Sequence, residues 1–164
     1  MVTKRRSLED GHRRKFLVVV DDTPECGRAL LYAAKRAEHT NGALLMLYVI
    51  APSDFQHWIG VENIMRAEAM EEAETVLARA AERVKASVNI DPEMAVREGM
   101  SAEVILELIE EDEDIAILVL AAGTESEGPG PLVTQVAYQS SGTFPVPITI
   151  VPGTLSDDDI AAIA

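Results

Sequence analysis

Three runs in this chain are apolar without interruption: Phe16 to Val20, Ala43 to Val49 and Ile115 to Ala121. Runs this short, rich in β-branched residues and lacking polar alternation, suit strands buried on both faces of a parallel sheet. Pro92 to Arg97 is a weaker strand that carries Glu93 and Arg97, so it is expected at an edge. Pro147 to Val151 is the last strand in sequence.

Between these runs the apolar residues recur every three or four positions, as on one face of a helix. Asp21-Asp22 ends the first strand, Thr23 is suited to cap a helix and Pro24 to begin it. That helix is expected to reach His39 with Leu30, Ala33, Ala34 and Ala37 inward, and Asn41-Gly42 stops it. Ala51 to Gly60 reads as a loop. Its Phe55, His57 and Trp58 are read as a cover for the protein's own core or a partner's, with a lid over a small ligand as the alternative. A long helix follows from Glu62 to Ala86, its apolar stripe running through Met65, Ala69, Val76, Leu77, Ala80 and Val84.

Ser101 is expected to cap a third helix, which closes on the acid run Glu110 to Asp114. That charge is wrong for a helix C-terminus, and the run is read as a solvated turn. Ala122 to Pro131 is a loop with three glycines and two prolines, and a short helix spans Leu132 to Ser140. Ser156 followed by Asp157, Asp158 and Asp159 favours a short terminal helix. Five β-α units in succession predict an α/β fold, a doubly wound five-stranded parallel sheet with helices on both faces. The chain divides into an arm (1–14), an α/β domain (15–153) and an acidic tail or short helix (154–164).

Composition narrows the class further. At 164 residues and 48% hydrophobic content, one globular domain is expected. The longest apolar run, Ala43 to Ala51, is too short to span a bilayer, so no membrane role is expected. The basic start runs into Leu8-Glu9-Asp10-Gly11 and not into an apolar stretch, so no secretory signal is expected. Cys26, the single cysteine, excludes an internal disulfide and fits a reducing cytoplasm.

Charge is unevenly spread. The net charge is −14, and the thirteen acids after Arg97 face no lysine or arginine. Such a surface repels phosphate backbones, which argues against nucleic-acid binding. Lys4, Arg5, Arg6, Arg13, Arg14 and Lys15 make the N-terminal arm the exception, read as a solvated, mobile tail with docking to an acidic partner as the alternative.

The chemistry-bearing candidate is the turn at Asp21-Asp22. It lies at the carboxyl end of a central strand, where open α/β sheets bind ligands. A phosphoacceptor domain would need a further aspartate after the third strand and a lysine after the fifth, but Arg97-Glu98 follows the former and the last lysine is Lys85. Zinc is not indicated, since His12, His39 and His57 lack ligand spacing. Asp21 to Gly27 holds one glycine, too few for a dinucleotide fingerprint. Cys26 is read as a packing residue, and helix capping is the plain alternative for Asp21 and Asp22.

Four stretches nevertheless resemble one family. VVVDDTPECGRAL (Val18 to Leu30), LLMLYVIAP (Leu44 to Pro52), VREGMSAEVILELIEEDEDIAILVLAAG (Val96 to Gly123) and FPVPITIVPG (Phe144 to Gly153) are similar to a universal stress protein domain. The resemblance covers Arg14 to Gly153 and implies strand order 3-2-1-4-5, with dimerisation through the last strand in many members. It also places an aspartate against a nucleoside, which is Asp21 here beside Asp22, and an apolar residue near the base, which is Val49. ATP-binding members carry Gly-x2-Gly-x9-Gly-Ser/Thr after the fourth strand. Gly123 matches the first glycine, but Ser126 stands at the second, and Thr134 falls near the closing position. Gly128 and Gly130, each followed by proline, fill the loop instead.

The resemblance thus implies a cytoplasmic stress-response protein that works as a dimeric interaction module with a degenerate nucleotide pocket. No cofactor is required; the alternative is an ATP- or AMP-binding member with at most slow hydrolysis. The expected pocket residues are Asp21, Asp22, Val49, Gly123, Gly128, Gly130 and Thr134. The expected homodimer edge is Pro147, Ile148, Thr149, Ile150 and Val151, and any protein partner is unknown.

Overall fold

The computed structural model describes residues 3–52, 61–124, 128–139 and 142–164. Five parallel strands, β1 (Lys15–Val19), β2 (Ala43–Ile50), β3 (Glu93–Glu98), β4 (Ile115–Ala122) and β5 (Ile148–Pro152), form one sheet in the order β3-β2-β1-β4-β5. The apolar runs account for the centre of that order. Successive side chains of β1 leave opposite faces, so Phe16 and Val18 join one core cluster and Leu17 the other.

On the first face lie α1 (Cys26–His39) and α2 (Val61–Ser87), packed through Leu30, Ala33, Leu77, Ala80 and Val84. The small residues Ala29, Ala33, Ala34 and Ala37 are all buried, which lets α1 sit close to the sheet. On the second face, α3 (Ser101–Glu111) and α4 (Pro131–Thr134) cover Leu17, Leu45, Leu47, Leu118 and Leu120. A π-helical turn, Gln135–Gln139, continues α4, and α5 (Asp157–Ile163) closes the chain with a capping box between Ser156 and Asp159.

Two glycines are fixed by geometry. Gly99, at φ 147°, turns β3 into α3 while its N–H donates to the Ile50 carbonyl at 3.0 Å. Gly42 follows Asn41, whose φ of 54° ends α1 in the left-handed region. A Cβ on Gly42 would lie 2.6 Å from the Arg14 carbonyl oxygen.

Two expected caps are corrected. Glu25, not Thr23, occupies the α1 N-cap and makes no side-chain cap. The Thr23 amide and hydroxyl both donate to Asp21 Oδ1, so the carboxylate next door outcompetes the helix for them. Met100, not Ser101, is the α3 N-cap, and Ser101 is already helical.

The arm read as a solvated tail is seated from Thr3 onward. Arg5 Nη1 donates to the Ile109 carbonyl at 2.6 Å, an acceptor that the end of α3 leaves open, and to the Asp112 carbonyl at 3.1 Å, which also accepts from the Ile115 amide. Arg6 pairs with Glu9 and Glu113, His12 Nδ1 lies 2.6 Å from Asp114, and Lys15 bridges Asp112 and Glu93. The Arg14 guanidinium carbon stands 5.7 Å from the centre of the Phe16 ring. The acid run is therefore the arm's counter-charge. Arg5 supports α3 because its guanidinium meets the negative end of that helix.

Candidate functional site

The strand order changes direction between β1 and β4, and a crevice opens there at their carboxyl ends. One wall is the turn after β1, Asp21 to Cys26, and the other is the loop after β4. A wider lobe of about 710 Å³ is lined by Thr23, Glu25, Gly123, Gly128, Gly130 and Thr134 among others. A narrower lobe of about 220 Å³ has Val19, Leu120, Leu132 and Val133 as its apolar side and Asp21 and Glu25 among its polar groups.

Of the residues predicted from sequence, Asp21, Gly123, Gly128, Gly130 and Thr134 line this crevice. Asp22 does not: it borders a separate cleft of about 290 Å³ between α1 and α2, which Asp21 also touches. Val49 packs into the core on the α3 side and lines neither lobe. Ser126, Phe55, His57 and Trp58 lie outside the described residues.

Among the described residues, three donors on or beside the loop after β4 are engaged internally. Gly123 N–H donates to the Pro129 carbonyl at 3.0 Å, closing the loop. The Thr134 amide and hydroxyl both donate to the Gly130 carbonyl, at 3.1 and 2.9 Å. Pro131, the first residue of α4, has no N–H to offer. Gly128 and Gly130 adopt φ of 101° and 103°, the region that only glycine enters without strain.

Glu25 is the residue that sequence reasoning missed. It lines both lobes, and a Cβ added to Gly123 would lie 3.5 Å from its Oε1. It faces the crevice because α1 begins at Cys26, two residues later than the proline signal suggests, which leaves Glu25 outside the helix. With Asp21 it gives the crevice two carboxylates, and no lysine or arginine lines either lobe among the described residues.

Cys26 ends this wall at the narrow lobe and is buried at 6% exposure. Its Sγ accepts from the Asp21 amide at 3.4 Å and donates to the Val19 carbonyl at 3.8 Å. Burial pushes the thiol up to about 11 from the ordinary 9.0. At pH 8 about one molecule in a thousand then carries thiolate, against about one in ten for an unfolded chain. Native protein is expected to react with a disulfide reagent at pH 8 at least roughly tenfold more slowly than protein in denaturant, as read by thiol absorbance. Equal rates would show an open thiol. Because the folded value is raised, the stability contributed by the neutral thiol is complete below about pH 9 and fades as pH climbs toward about 11.

Among the described residues, no group of three or more histidine, cysteine or acidic side chains is placed to hold a metal. Nor is any helix among them long and apolar enough to cross a membrane.

Residues 12–152 match the profile of the Universal stress protein family. The chain is similar in structure to a universal stress protein UspA from Lactobacillus plantarum, with a TM-score of 0.69 at 16% identity over 87% of this chain and 99% of that one. It is also similar to a universal stress protein in complex with cAMP, at TM-score 0.63 and 18% identity over 85% and 97% of the two chains. A third, from Archaeoglobus fulgidus in complex with dAMP, gives a TM-score of 0.59 at 14% identity over 84% and 97%. No curated protein sequence matches the chain.

Proposed function

The chain belongs to the universal stress protein family, and from that premise we propose that it is a cytoplasmic stress-response interaction module, working as a homodimer, whose nucleotide crevice no longer holds a triphosphate. The observation that carries this reading is the self-closed loop after β4. Gly123 N–H and both Thr134 donors serve the loop and α4, so they are not available to phosphate oxygens. Glu25 and Asp21 add negative charge where a triphosphate would bring about four more. The free, buried Cys26 agrees with a reducing compartment.

The second reading, an AMP- or ATP-binding member with at most slow hydrolysis, draws on two observations. Asp21 stands at the crevice with its carboxylate oriented by Thr23, and similar structures hold cAMP and dAMP. Calorimetric titration separates the two. The interaction-module reading expects no saturable heat with ATP and magnesium at micromolar concentration. A tight, magnesium-dependent ATP complex overturns it.

A further inference from the structure

We infer that the acid run Glu110–Asp114 at the end of α3 is a docking seat for a basic segment of a partner protein, and that the chain's own arm, Thr3 to Arg14, occupies the seat until such a segment displaces it. The inference rests on the interaction-module reading for the premise that the chain acts by binding protein. It adds the contact surface, the chemistry of the partner and the device that restrains it.

Charge matches the two surfaces. Residues 3–14 hold five basic and two acidic side chains, whereas positions 110 to 114 are all acidic. The contacts are those of a bound peptide. Thr3 bonds the Glu110 carboxylate through its amide at 3.1 Å and its hydroxyl at 2.7 Å. Arg5 reaches the Ile109 carbonyl, and the Arg6 amide and guanidinium meet the Glu113 carbonyl and carboxylate at 2.9 and 3.1 Å. Main-chain and side-chain acceptors are engaged together, so the seat takes a peptide bearing cations and not a lone ion.

The arm holds this seat weakly. The ion pairs of Arg6 lie at the surface, where each contributes little and salt screens it. Leu8, the single large apolar residue between Thr3 and Arg14, stands 85% exposed and anchors nothing. What keeps the arm in place is its tether to β1, which presents it at roughly millimolar effective concentration. Beside His12 a hollow of about 470 Å³ is rimmed by Glu111, Asp112, Glu113 and Asp114. Arg97 on the same rim is already paired with Glu111. An incoming lysine or arginine therefore meets carboxylates there before the arm has left, and exchange proceeds without emptying the seat.

Fluorescence anisotropy tests the inference with a labelled peptide of the sequence Thr3 to Arg14, titrated with the full chain. The proteins are wild type, an arm variant (Arg5→Ala with Arg6→Ala), and that variant with Glu110→Gln and Glu113→Gln added. Weakening the arm raises the fraction of open seats and strengthens apparent affinity by the same factor. The peptide is expected to bind the arm variant at least roughly tenfold more tightly than wild type. The two glutamine substitutions should remove that gain, and added salt should weaken it. Equal affinity for wild type and arm variant, a gain that survives the loss of the Glu110 and Glu113 charges, or no binding to any form each overturns the inference. Sedimentation of wild type and arm variant is expected to give the same assembly. An oligomer lost in the variant would assign the seat to the arm of a second copy and overturn it as well. Thermal melts establish that each variant is folded. Arg6→Ala alone, which leaves Arg5 on α3, should give the same change to a smaller degree and replaces the double variant if that one unfolds. Absence of peptide binding leaves the interaction-module reading to its ATP titration; micromolar ATP binding defeats that reading, whereas the peptide titration alone decides the seat.

Discussion

Leu118→Ala is expected to lower the unfolding free energy by about 2–5 kcal/mol, the range for a leucine removed from a packed core. Leu118 is fully buried on β4, and its cluster includes Leu17, Leu45, Ile105 and Ile109. The strand around it cannot relax into the space left behind. β4 pairs β1 on one side and β5 on the other, with the Leu118 amide held by the Pro147 carbonyl at 2.9 Å. For a domain of this size each kcal/mol moves the melting temperature by about 2–4 °C, so calorimetry should show a fall of roughly 5–20 °C. A loss below about 1 kcal/mol would mean that α3 and α4 close over the gap.

The same packing explains what could be read from sequence. FLVVV, ALLMLYV and IAILVLA are apolar at every position because both faces of β1, β2 and β4 are covered. Their alternation with helical periods leaves few topologies open. Gly99 stands in the turn before α3 for a local reason, a positive φ that favours glycine, and the cap falls one residue earlier than serine chemistry predicts.

What could not be read depends on groups distant in sequence. Arg5 meets Ile109 and Asp112 more than a hundred positions away, and no local rule distinguishes a basic arm in water from one seated on a helix end. The clue lay in the acid run Glu110 to Asp114, whose charge opposes the helix dipole unless a cation answers it. Glu25 entered the crevice for a related reason. Thr23 had two partners to choose between, and its bond to Asp21 delayed α1 by two residues. Val49 fell outside the crevice because its side chain leaves β2 toward the α3 core.

Ile150→Lys is expected to turn a homodimer into a monomer. Among the described residues β5 pairs only with β4, so its other side is an open edge there, and the strand exposes Ile150 at 39% while Val151 is buried. An apolar edge left in water invites pairing with another strand, and a two-fold contact is the common isologous solution. Pro147 and Pro152 bound the free stretch, and because β5 already pairs with β4, only alternate amides between them face the open side. Two chains of −14 repel one another, but salt at physiological strength screens that repulsion beyond about 8 Å. Apolar burial at about 25 cal/mol per Å² acts at contact, so the dimer should tighten as salt is raised. A lysine at position 150 brings a charge to the centre of the contact and removes an apolar side chain. Sedimentation at micromolar concentration should give a dimer for wild type and a monomer for the variant, with melting temperatures of the two proteins close to one another at low concentration. A wild-type chain that sediments only as a monomer would exclude β5 as the contact, and a variant that stays dimeric would place it elsewhere.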